Sequence, residues 1–173
     1  MTISTKTVGI ILRKRVLKDA DISLAIFTQA HGKISVMAKG VRHLTSRRAG
    51  HLQTGSYVTC IIRQSTGGKY LQQSTLISAL YEIKKDPLKL EAFMRSLFLL
   101  DRLLPEELVE TELYSLYQIF IKHLSGSDGL VATEQLTRFT SQLLQHLGHH
   151  DQPITTWSKC REICERVIEE KLP

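Results

Sequence analysis

The sequence predicts an α+β protein: five antiparallel strands closed into a small barrel, then an all-helical domain. Three observations carry that prediction. Apolar residues alternate at every second position in four segments before residue 64, and recur at helical spacing after Asp86-Pro87. Glycines stand at turn points, at His31-Gly32, Gly40 and Gly67-Gly68. Charge divides at the same place: residues 1–84 hold 13 Lys/Arg against 3 Asp/Glu, and residues 85–173 hold 10 against 14. The reading is a domain over 1–82 and a second over 83–173.

The first strand spans Lys6–Arg13, with Val8, Ile10 and Leu12 alternating with Thr7, Gly9 and Ile11. Asp19-Ala-Asp21 connects it to a second strand, Asp21–Gln29, where Ile22, Leu24 and Ile26 share one face. The turn at His31-Gly32 makes a hairpin with a third strand, Lys33–Lys39, whose Ile34, Val36 and Ala38 face one way. A basic and polar loop follows Gly40. The fourth strand is Ser56–Arg63, with Val58, Cys60 and Ile62 together, and the fifth is Lys69–Tyr81. Five such strands in about eighty residues suit a closed barrel of the OB type; a two-sheet sandwich is the competing arrangement.

In the second half, Leu88, Leu90, Phe93, Leu97 and Leu100 mark a first helix that Pro105 ends. A second is expected near Glu107–Leu124, burying Leu108, Leu113, Leu116, Tyr117 and Phe120. A third, Leu130–Leu147, buries Leu136, Phe139, Leu143 and Leu144 and stops at Gly148. The last, Thr156–Lys171, turns Ile163 and Val167 inward, with Cys160 and Trp157 as further candidates.

Composition narrows the function classes. At 173 residues and 42% hydrophobic content the chain is long and apolar enough for a real core. No apolar run reaches the roughly 20 residues that cross a bilayer, so no membrane partner is expected. The first residues lack the order of a secretory signal, and three cysteines make no disulfide framework; a cytoplasmic protein is the expectation. No acidic residue occurs between Asp21 and Glu82. The stretch Gly32–Arg48 concentrates five cations, Lys33, Lys39, Arg42, Arg47 and Arg48, with no acid. Its alternation anchors one face in a core and leaves the other to present charge, the pattern of a polyanion-binding surface. Arg13, Lys14, Arg15, Arg63 and Lys69 extend the candidate track. Phe27, Tyr57 and Tyr70 are possible stacking platforms, weighed against ordinary core or rim packing.

Catalysis finds no support. No Ser/His/Asp or Cys/His set has ordered spacing, and Ser65-Thr-Gly-Gly-Lys69 lacks the rest of a phosphate loop. His146, His149, His150, Asp151, Cys160 and Cys164 lie near one another, but Cys160 and Cys164 are four apart on a helix rather than in a zinc-ribbon pair. No metal and no cofactor are expected.

The order VGIILRKR, then DADISLAIFTQAHGKISVMAKGVR, then SRRAGHLQTGSYV, resembles the N-terminal domain of the RecO family, bacterial recombination mediators. DPLKLEAFMRSLFLLDRLLPEE and RFTSQLLQHLG resemble that family's helical domain in kind and position, so the resemblance covers roughly residues 6–148. It implies an OB fold that binds single- and double-stranded DNA and a protein that anneals strands. It also implies work with RecR, contact with single-strand-binding protein, help in loading RecA, and no enzymatic activity. Many members carry a four-cysteine zinc segment that is nearly absent here, which implies a shortened member. A competing function is an adaptor whose barrel grips an acidic protein tail, with DNA binding incidental.

Overall fold

A computed structural model of the chain describes residues 3–18, 21–41 and 50–173. The chain forms two compact units: Met1–Leu80 with Leu104–Thr111, and Tyr81–Leu103 with Glu112–Pro173.

In the first unit, β1 (Ile3–Val16), β2 (Ile22–Thr28), β3 (Gly32–Ala38), β4 (Tyr57–Ser65) and β5 (Gly68–Ser78) close in the order β1-β2-β3-β5-β4. The pairs are antiparallel except β3 and β5, which meet in parallel at Met37↔Tyr70. The order and the single parallel junction are those of an OB-type barrel, as the strand count and glycine turns predict. Ile22, Leu24, Ile26, Ile34, Val36, Ala38, Val58, Cys60, Ile62 and Leu71 fill the interior. The inward faces of β2, β3 and β4 are thus the ones their alternation indicates.

β1 departs from simple alternation. Its register slips between Ile11 and Arg13, where Leu12 is the extra residue of a β-bulge. Ile11 pairs with Ile26 on the core face, and beyond the bulge Arg13 pairs with Ala25 and Arg15 with Ser23 on the outer face. Unbroken alternation from Ile11 carries Arg13 and Arg15 into the barrel; one inserted residue turns them out.

The second unit opens with a one-turn helix, α1 (Tyr81–Lys84), where the sequence predicts the end of the last strand. It continues with α2 (Pro87–Leu103), α3 (Thr111–Gly126), a 3-10 turn at Gly129–Val131, α4 (Ala132–His146) and α5 (Trp157–Ile168). α4 and α5 pack on α2 and on each other. Tyr117, Phe120 and Phe139 form the aromatic centre, with ring centroids 4.8–5.8 Å apart. α4 ends as Gly148 predicts: Gly148 N–H donates to Gln145 O and His149 N–H to Leu144 O, with Gly148 at φ 73°. On α5, Cys160, Ile163 and Cys164 are buried, and Cys160 Sγ donates to Thr137 O at 3.6 Å. Among the described residues no helix is long and apolar enough to cross a membrane.

One helical expectation fails. The second long helix begins at Thr111, not Glu107, and Leu108 is 52% exposed rather than buried. Residues 104–110 are not helical, because Glu106 bridges to Lys33 of β3 in parallel and Glu107 N–H donates to Lys33 O at 2.8 Å. A tertiary sheet edge outbids the helical periodicity of a segment already interrupted by Pro105.

Candidate nucleic-acid interface

Strand register brings together residues that lie far apart in sequence. Arg15 pairs with Ser23, Ser23 with Met37, Met37 with Tyr70, and Tyr70 with Arg63. These five residues form one transverse row around the outer face, crossing all five strands. At about 4.8 Å per strand, the row runs roughly 19 Å along the barrel surface between its two arginines. Arg15 and Arg63 are both exposed.

The Arg63 end of the row opens into a groove of about 680 Å³, lined by Met37, Lys39, Arg63, Tyr70 and the Thr66-Gly67 turn. Lys39 is exposed and holds its Nζ 5.2 Å from the centroid of the Tyr70 ring. Tyr70 is half-buried, and its hydroxyl donates to Gly67 O at 3.2 Å, so the ring is braced by the hairpin turn below it. The groove therefore combines two cations, one fixed aromatic ring and polar turn residues. Asp21 is the only carboxylate described in residues 1–80; its Oδ1 accepts the Gly40 N–H at 2.8 Å and closes a loop.

The remaining sequence candidates are distributed differently. Arg13 is half-buried on the outer face of β1, and neighbouring Lys14 donates to Gln53 Oε1 at 3.2 Å. Lys33 is only 8% exposed, in an outer row with Ile10 and Phe27 that is buried throughout. Phe27 is accordingly a packing residue and not a stacking platform. Lys69 is ion-paired to Glu107. Tyr57 is half-buried at the start of β4. Arg42, Arg47 and Arg48 lie outside the described residues. Sequence reasoning missed Ser23 and Met37 as members of the row, and Glu106 and Glu107 as barrel residues. No local signal marks them, since each owes its place to strand pairing.

The cysteines are inert packing groups. Burial pushes the Cys60 thiol up to about 12, Cys160 to about 11 and Cys164 to about 12, so all three stay protonated at neutral pH.

A family profile described as "Recombination protein O N terminal" matches residues 1–80. The DNA repair protein RecO of Bacillus pumilus is 34% identical over 125 residues, covering 71% of this chain and 48% of that protein. The protein of the same name from Symbiobacterium thermophilum is 27% identical over 140 residues, covering 81% and 55%. That of Ehrlichia chaffeensis is 30% identical over 122 residues, covering 69% and 48%. The chain spans about half the length of these curated relatives.

Proposed function

The chain belongs to the RecO family, and from that premise we propose that its barrel binds DNA through the phosphate backbone in the service of recombinational repair. The observation that carries this reading is the outer row with its groove: Arg63 and Lys39 line the groove with Tyr70, Arg15 stands at the far end of the row, and Asp21 is the only carboxylate described in residues 1–80. Two cations at the groove and a further arginine elsewhere on the outer face suit a chain of phosphates rather than a single anion. Arg42, Arg47 and Arg48 follow β3 in sequence and add three cations to the same basic stretch of the chain. Phosphate contact releases condensed counterions and reads no base edge, so binding is sequence-tolerant and covers single and double strands.

Annealing follows from the same electrostatics. Two complementary strands repel at every phosphate, and a surface that neutralises both lowers the barrier to their encounter. The proposed role is mediation without covalent chemistry. In that role RecR and single-strand-binding protein are the protein partners and RecA the recombinase that is loaded, with the helical unit as their docking body.

A second reading has one observation in its favour. The acidic segment Glu106-Glu107 lies on this barrel, as an acidic protein tail gripped by an adaptor would. Fluorescence anisotropy with labelled oligonucleotides and a labelled acidic peptide, across 50–200 mM salt, separates the two. For four to six phosphates, log K against log[salt] has a slope of roughly −3 to −5. Arg15→Gln, Lys39→Gln and Arg63→Gln together flatten that slope by about 2–3 and weaken all sequences alike. A flat salt profile, or tighter binding of the peptide than of DNA, overturns the phosphate reading.

A further inference from the structure

The residues between α2 and α3 are the least expected part of the barrel unit. Leu104–Thr111 belongs to that unit and supplies Glu106, Glu107 and Glu110, three of its five carboxylates. It lies as a strap along β3 and reaches β5. Upstream of the Met37↔Tyr70 junction, the β3 edge at Lys33 is taken by Glu106 in a parallel bridge. The Ser35 hydroxyl donates to Glu106 Oε1 at 2.7 Å, and Glu107 pairs with Lys69 of β5. Ser35 stands two residues before Met37 on the same face of β3, and Lys69 precedes Tyr70 at the start of β5.

Two features show that the strap is held in place rather than resting there. Glu107 sits at φ 61°, a left-handed conformation unfavourable for a side-chain-bearing residue and kept only where surroundings impose it. Leu108 packs so closely on Gly32 that a Cβ there would lie 1.8 Å from the Leu108 carbonyl oxygen. Its electrostatic grip is weak by comparison. The Glu107 side chain is 61% exposed, and a pair that open to water is worth little and is screened by salt.

We infer that the Pro105–Glu110 strap is a built-in competitor for the polyanion site: its Glu107 carboxylate occupies Lys69 in the way a DNA phosphate does, and DNA must displace it to gain that cation. The inference rests on the DNA-binding reading above and adds regulation to it. A backbone-anchored strap with a solvent-exposed acidic tip can release Lys69 without unpairing from β3. A phosphate that reaches Lys69 must first displace this one carboxylate, so the strap withholds one cation from every DNA that binds and matters most for short strands, which make few other contacts.

The test compares wild type, Glu107→Gln, Lys69→Gln and the double variant by anisotropy with labelled single-stranded oligonucleotides of increasing length at 50–200 mM salt, each protein first checked for native circular dichroism. Glu107→Gln retains the backbone bond to Lys33 and the shape of the side chain. It is expected to bind short oligonucleotides about two- to fivefold more tightly, the range of one exposed ion pair. Its salt slope should steepen by about 0.7, one added phosphate on a single strand. The gain should vanish in the Lys69→Gln background. Unchanged or weaker binding by folded Glu107→Gln, while wild type binds DNA with a steep salt slope, overturns the strap and leaves the DNA reading standing. No DNA binding by either protein overturns the DNA reading, and the strap as its competitor with it.

Discussion

Replacing Gly32 with alanine probes how the strap is anchored. Gly32 has φ 64°, and an alanine there pays about 1–2 kcal/mol for the left-handed backbone alone. The new Cβ would meet the Leu108 carbonyl oxygen at 1.8 Å and its carbonyl carbon at 2.6 Å. Both atoms are backbone, so no rotamer change relieves them and the strap must move away by about an ångström or more. That movement breaks the Glu107 N–H bond to Lys33 O, now 2.8 Å, at about 1 kcal/mol. It also loosens the exposed Lys69–Glu107 pair, at most about 1 kcal/mol more. The total is about 2–4 kcal/mol, or a fall in Tm of about 5–15 °C for a chain of this size. Urea and thermal melts followed by circular dichroism measure it. Gly126→Ala is the control: it lies in the last turn of α3 with nothing within 4 Å of its Cβ, and should stabilise by up to about 1 kcal/mol. A Gly32→Ala loss below about 0.5 kcal/mol would refute the argument, since neither the backbone penalty nor the clash would then exist.

Three further outcomes are expected. An alanine Cβ at Gly129 would lie 2.3 Å from Asp86 Oδ2, and Asp86 Oδ1 accepts the Leu88 and Lys89 N–H groups at the start of α2. Gly129→Ala should therefore cost about 1 kcal/mol through the lost cap, and much less in an Asp86→Ala background; additive losses would contradict the coupling. The thiol pKa values are raised above the ordinary 9.0, so the unfolded chain ionises first as pH rises. Stability is intact below pH 9 and falls between pH 9 and 11 by up to about 1.4 kcal/mol per thiol per pH unit, and Cys60→Ala should remove part of that slope in urea titrations. Cys160→Ala with Cys164→Ala should lower stability modestly, and EDTA should leave both the variant and wild-type melts unchanged, because these thiols pack as small apolar groups. Stoichiometric zinc in the purified protein, or melting on chelation, would contradict that assignment.

What the sequence determines alone is what depends on neighbours along the chain. Alternation places Ile34, Val36 and Ala38 inward because successive strand side chains point to opposite faces, and spacing places Ile163 and Cys164 inward because helical neighbours share a face. Gly148 stops α4 because the left-handed turn there is local chemistry. The tertiary structure decided whatever depends on pairing across long loops. A bulge at Leu12 turned Arg13 and Arg15 outward, and register aligned Arg15, Met37, Tyr70 and Arg63 although 48 residues separate the two arginines. Lys33, a cation on the presumed open face, is buried, and Leu108, an apolar residue in a helical pattern, is exposed. Both reversals have one physical origin. The edge of β3 offers backbone hydrogen bonds to a distant segment, and a satisfied sheet edge outweighs the few tenths of a kcal/mol per residue by which local propensity would have made that segment a helix.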